Sequence, residues 1–199
     1  MSNAVIQSLR KRRSQYSLGR QVKQSPAEIE ALIKEAIRLS PSSFNSQSSR
    51  AVILFGAQSE RFWELVGESL RPLVPADAFD ATEKKLASFA AGVGTVLFYE
   101  DQDVVKGLQE KFALYADNFP VWSEQSSGIA QVATWTALSE AGIGASLQHY
   151  NPVVDEAARR EWNLPDSWKL RAQMPFGSHE APFGEKTFIN DEERFRVVA

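Results

Sequence analysis

Apolar residues recur along this chain with two periods. Between Ser25 and Pro41, Ile29, Leu32, Ile33, Ala36 and Ile37 share one face at helical spacing. Ser25 can cap that helix, Pro26 suits its first position, Glu28 closes a capping box, and Pro41 lies just past its end. Val5, Ile6 and Leu9 predict a shorter helix before it. The unbroken apolar run 51–55 reads as a buried strand ending at Gly56. Segment 59–70 is amphipathic, with Phe62, Trp63, Leu65 and Val66 as its apolar side. A helix over 80–91 and a second buried strand over 94–99 follow. Two long helical segments, 103–116 and 123–141, come next, and Gly142 serves as the C-cap of the second. The remainder predicts a strand over 145–150, a helix opened by Asn151-Pro152, a strand over 169–176, and a tail, 184–199, polar and then apolar. Helices dominate and the strands are short and well separated. That pattern describes an α+β or α/β fold with one small buried sheet flanked by helices.

No repeat, low-complexity tract or linker interrupts the pattern, so a single domain over 1–199 is expected. Composition agrees: 43% of the 199 residues are hydrophobic and 24% charged, which excludes collagen, coiled coil and overall disorder. A chain this long buries about 70% of its unfolded surface, enough for a core without staples. The net charge of −3 offers no basic excess of the kind a duplex-binding surface needs. There is no cysteine, which removes disulfides, thiolate chemistry and Cys-type zinc sites. His149 and His179 are the only histidines, so a three-His metal site cannot form and no metal is expected. Every apolar run is strand-sized, which argues against a membrane span. No acidic residue precedes Glu28, whereas six Lys/Arg and five Ser do, a bias that transit peptides share. The default expectation is cytoplasmic.

Common nucleotide and hydrolase motifs are missing. Gly92-Val-Gly94 and Gly142-Ile-Gly144 each lack the third glycine of a dinucleotide fingerprint, and neither a P-loop nor a GxSxG elbow occurs. Three segments stand out instead. Arg10-Lys-Arg-Arg13 with Ser14 and Tyr16 can hold a phosphate through charge-assisted bonds, or be a solvated basic turn or nucleic-acid patch. The segment 41–50 supplies five Ser, one Asn and one Gln, donors and acceptors able to read a polar heterocycle; it also suits an ordinary helix–strand connection. In 141–152 the glycines let backbone approach a ligand, and Ser146, Gln148 and His149 follow in a strand that should be buried. The same segment can be a helix C-cap running into a strand, with His149 as a core histidine.

Taken in order, these segments resemble the FMN-dependent nitroreductase family, and in particular its short stand-alone branch of fatty-acid-repression-mutant-like proteins. The matching residues are Arg12-Arg13-Ser14, Pro41-Ser42-Ser43-Phe44-Asn45-Ser46-Gln47 and Gly142 through Pro152, with the tail 184–196 supplying a basic residue. The resemblance implies a three-layer α-β-α fold of the α+β class, with a small central mixed sheet, in a domain-sharing homodimer. It implies that Arg12 and Ser14 hold the FMN phosphate, with Tyr16 in the same turn where larger members carry a basic residue. Arg13 would lie near the ribityl chain and ring and stabilise reduced flavin. Asn45 and Gln47 would bond the ribityl chain and the polar ring edge. Ser146, Leu147 and Gln148 would line the ring, and Lys186, or Arg196 in its place, would reach the phosphate.

The activity the resemblance implies is a ping-pong oxidoreductase, in which NAD(P)H reduces the flavin and leaves before a nitroaromatic or quinone takes the electrons. No protein residue need be catalytic, because the flavin carries the chemistry. Phe112, Tyr115, Phe119 and Trp122 would be either a pocket lid or core. A flavin-binding regulatory or storage protein is the alternative in another class, since a fold does not settle a function. A nucleic-acid or membrane contact through the basic segment is a third, and neither partner is expected.

Overall fold

The computed structural model describes residues 3–198; residues 1, 2 and 199, the ends of the expected domain, lie outside them. Its frame is a sheet of five strands, β1 (Leu18–Gly19), β2 (Ser49–Phe55), β3 (Gly94–Asp101), β4 (Gly144–Ala145) and β5 (Trp168–His179). The order is β1-β5-β3-β2, with β4 also pairing to β5. All of these pairings are antiparallel. The sheet is mixed only through an isolated parallel bridge between Ser14 and Ala145.

The described residues form eight α-helices: α1 (Ala4–Lys11), α2 (Pro26–Arg38), α3 (Ala57–Leu70), α4 (Phe79–Ala90), α5 (Gln102–Lys111), α6 (Phe119–Glu140), α7 (Asp155–Glu161) and, in the exposed tail, α8 (Asp191–Arg194). β3 is apolar on both faces because helices lie on both. Leu97 and Tyr99 pack with Phe62, Trp63 and Val66 of α3, Phe89 of α4 and Ala158 of α7. Val96 and Phe98 point the other way, to Ile29 and Ile33 of α2 and Leu138 of α6. Strand alternation thus sorts the core into two layers, the α-β-α arrangement.

The expected capping box forms, with Ser25 Oγ accepting from Glu28 N and the Glu28 carboxylate accepting from Ser25 N. Ser25→Ala removes one side of it and should cost about 1 kcal/mol of folding stability, read by chemical denaturation.

Several expectations change in detail. The run 51–55 lies in the edge strand β2 and is half-buried apart from Leu54. The helix expected from Asn151-Pro152 begins only at Asp155, after a turn over 151–154. The helix over 103–116 stops at Lys111, because Phe112 leaves helical geometry (φ −127°, ψ 64°) and a 3₁₀ segment, Ala113–Asn118, follows. α6 begins at Phe119 rather than 123, with Pro120 in its first turn. The strand over 145–150 shortens to β4 and one isolated bridge between Gln148 and Gln173. There the Gln173 side chain replaces the ladder: its Oε1 accepts from Tyr150 N at 2.7 Å, and its Nε2 donates to Asn151 Oδ1.

Candidate functional site

The basic segment leaves the C-terminus of α1 in an extended conformation and meets β4. Gln15 N donates to Ala145 O at 2.8 Å, next to the Ser14–Ala145 bridge. This contact sets Arg12, Arg13 and Ser14 beside 144–148. Gly144 is required for it, since a Cβ there would stand 2.9 Å from the Gln15 side chain and 3.1 Å from the His179 ring. Gly142 has φ +78° at the end of α6, the left-handed position that favours glycine. Both glycines of this segment therefore have duties inside the fold.

The Arg12 guanidinium lies 4.3 Å from the Trp135 ring of α6. Its pKa is lowered, first by partial burial and then by the positive charge of Arg13. Arg13 is tied to the tail, donating to Gly184 O at 2.6 Å and resting over Phe183. Among the described residues neither arginine forms an ion pair. Two neighbouring cations without a carboxylate repel each other, and an anion placed between them relieves that repulsion. Ser14 and Tyr16 are exposed next to them. Sequence reasoning missed Trp135, because nothing in the helical pattern of 123–141 marks one aromatic as facing the basic segment.

Ser146 and Gln148 are buried, and Gln148 Nε2 donates to Ser146 Oγ at 3.0 Å; Leu147 is half-buried against the α2–α6 layer. His149 is exposed rather than a core histidine, because the alternation that turns Gln148 inward turns its neighbour out.

The second polar segment is a strained loop. Phe44, Asn45 and Gln47 all have left-handed φ, at +57°, +49° and +48°, a conformation that costs of order 1 kcal/mol or more per residue. Ser42 stabilises the turn, its Oγ accepting from Gln47 N and its carbonyl from Asn45 N, both at 2.9 Å. Arg50 donates to Gln47 O at 2.7 Å while ion-pairing with Asp101. The Phe44 ring sits among Phe112 (4.9 Å), Phe119 (5.3 Å), Trp122 (5.8 Å) and Tyr115 (6.2 Å). Of these, Phe119 is core, whereas Phe44 and Tyr115 are exposed. Phe44, the centre of the cluster, was legible only as part of a polar connection.

The structure does not bring every candidate together. The loop 42–47 packs at the start of α6, on Phe119 and Trp122, while Arg12 stacks on Trp135 near its end. The 13 residues from Trp122 to Trp135 rise roughly 20 Å. Among the described residues no hydrogen bond or ring contact joins Asn45 or Gln47 to Arg12, Ser14 or Gln148. Lys186 and Arg196 stay within the exposed tail, Lys186 over Phe188 and Arg196 on the carbonyls of Glu192 and Phe195. No group of acidic and histidine residues among those described could hold a metal ion, and no helix is long and apolar enough to cross a membrane.

Known proteins resemble this arrangement throughout. The Nitroreductase family model matches residues 9–178. HBN1 of Saccharomyces cerevisiae is 37% identical over 170 residues, covering 84% of this chain and 83% of its own. Nitroreductase CinD from Lactococcus lactis, solved with chloramphenicol, superposes with a TM-score of 0.92 at 55% identity, over 98% of this chain and all of the other. It has also been solved with 4-nitrophenol. A nitroreductase with bound FMN from Desulfitobacterium hafniense has a TM-score of 0.72 over the full length of both chains; at 13% identity that likeness is one of fold. With its fold and most of its length so matched, the chain belongs to the nitroreductase family of oxidoreductase enzymes.

Proposed function

We propose that the chain is an FMN-dependent NAD(P)H oxidoreductase that reduces nitroaromatics, with quinones as further acceptors. It works as a homodimer whose two sites each draw on both chains. The observation that carries the flavin assignment is the Arg12–Arg13 pair, two adjacent guanidiniums with no carboxylate among the described residues. A phosphate dianion suits Arg12, with the Ser14 hydroxyl and the Tyr16 phenol as further donors, while Arg13 faces the ribityl chain and ring. Asn45 and Gln47 meet the ribityl chain and the polar ring edge, and the 146–148 segment lines the ring, with Gln148 as its side-chain amide. When bound, FMN supplies two-electron chemistry between the nicotinamide and the acceptor, in ping-pong order. The protein's share is to bind, orient and exclude water, and Arg13 adds positive charge where the reduced ring gathers negative charge.

A shared site follows from the separation along α6. The loop 42–47 of one chain stands roughly 20 Å from its own Arg12 along that helix, so a second chain is needed to close one site. The surface supports this pairing. Val5 and Leu9 of α1, Leu39 after α2, and Ile129 and Val132 of α6 are exposed around one apolar depression. Phe188, Ile189, Phe195, Val197 and Val198 of the tail are exposed as well. Such apolar surface favours association, and Lys186, two residues beyond the Gly184 carbonyl that accepts from Arg13, or Arg196 further along the tail, is the basic residue offered to the phosphate. The chloramphenicol and 4-nitrophenol complexes of CinD favour a nitroaromatic acceptor, and the bound FMN of the Desulfitobacterium protein favours the flavin.

The reading is tested by the visible spectrum of protein incubated with FMN, desalted, and mixed anaerobically with NADPH or NADH. Flavin bands that co-elute and bleach are the expected result. Bands that co-elute and stay oxidised point to a flavin-holding protein without turnover, and no retained flavin overturns the assignment.

A further inference from the structure

Glu100, near the end of β3, is fully buried. Its carboxylate accepts three hydroxyls: Oε2 from Ser48 at 2.6 Å and from Ser123 at 2.7 Å, and Oε1 from Ser49. Among the described residues no cation pairs with it. A buried acid without a counter-ion is a costly residue to keep, and apolar packing would serve the core more cheaply. What it holds is specific. Ser48 directly follows Gln47, and its carbonyl also accepts from Asp101 N at 2.9 Å. Ser123 directly follows Trp122, whose ring stacks on Phe44 at 22° between planes. One carboxylate thus fastens the exit of a loop with three left-handed residues to the stretch of α6 on which that loop's aromatic ring rests.

We propose that Glu100 is a positioning residue. Through Ser48 and Ser123 it holds loop 42–47 so that Asn45 and Gln47 present their amides, and Phe44 its ring, in the geometry the flavin site needs. The inference rests on the flavin reading above and extends it to a residue outside the three motifs.

The test compares full-length wild type with Glu100→Gln, Glu100→Ala and Ser123→Ala. Hydrogen exchange at amides 43–48, measured without flavin, reports the tether itself. It should quicken most in Glu100→Ala, less in Ser123→Ala, and least in Glu100→Gln, whose amide keeps the shape and one acceptor oxygen. FMN dissociation constants from fluorescence titration should rise in the same order, by roughly 10- to 100-fold for Glu100→Ala. The visible band of bound flavin should shift in that variant, a signature that lowered stability alone does not produce. Unchanged exchange in the loop overturns the proposal. So does quickened exchange with unchanged affinity and spectrum, whatever the melting temperature, because Glu100 then serves only the scaffold. A wild type that binds no FMN overturns the flavin reading, and with it the ligand assigned to the loop, while the exchange data still decide the tether.

Discussion

Arg12→Ala should weaken FMN binding roughly 10- to 150-fold, the equivalent of a charge-assisted phosphate contact of about 1.5–3 kcal/mol. The expectation rests on three features of that side chain. It is half-buried, its charge is repelled by Arg13, and its guanidinium lies 4.3 Å from the Trp135 ring. The ring limits where the guanidinium can go, so less freedom is lost when an anion arrives. Ser14→Ala should cost less, because a neutral hydroxyl donates a weaker bond than a guanidinium. Fluorescence titration at fixed ionic strength reads both. An Arg12→Ala variant that binds FMN as tightly as wild type would show that the phosphate lies elsewhere.

In the homodimer proposed above, Ile129→Asp should separate the subunits and, with them, the site. Ile129 is on α6, whose surface is apolar well beyond the face that meets the sheet, and it borders the depression formed with Val5, Leu9 and Leu39. A two-fold interface contains the substitution twice. Burying an unpaired carboxylate costs more than the ~2–3 kcal/mol of a neutral polar group, so two copies raise the dimer dissociation constant by at least roughly 10³-fold. The variant should run as a monomer in light scattering at micromolar concentration and lose flavin on desalting, because loop 42–47 and Arg12 of one chain do not converge. A variant that keeps both its mass and its flavin would remove this face from the interface.

Much of the fold was written in local chemistry. The Ser25–Glu28 box, the apolar runs of β2 and β3, and Gly142 at the end of α6 each depend on neighbours a few residues away, so periodicity and caps suffice to find them. The same holds for the three polar segments, which break the pattern of apolar burial and carry the family resemblance. Strand 145–150 is shorter than its apolar pattern suggests because the group that ends its ladder, the Gln173 side chain, comes from 23 residues beyond Tyr150. The helix over 103–116 ends early at Lys111, where Phe112 meets Phe44, a contact no window of sequence contains. What the sequence alone determined is which residues are polar where burial would be expected, and hence the chemistry available to a ligand. Only the tertiary structure decided which of them meet. It set Ser14 against Ala145 and Arg12 on Trp135, fastened Ser48 to Ser123 through Glu100, and kept loop 42–47 at the far end of α6. The physical reason is that a side chain's own type fixes what it can bond, whereas distance across a packed core depends on the whole path of the chain.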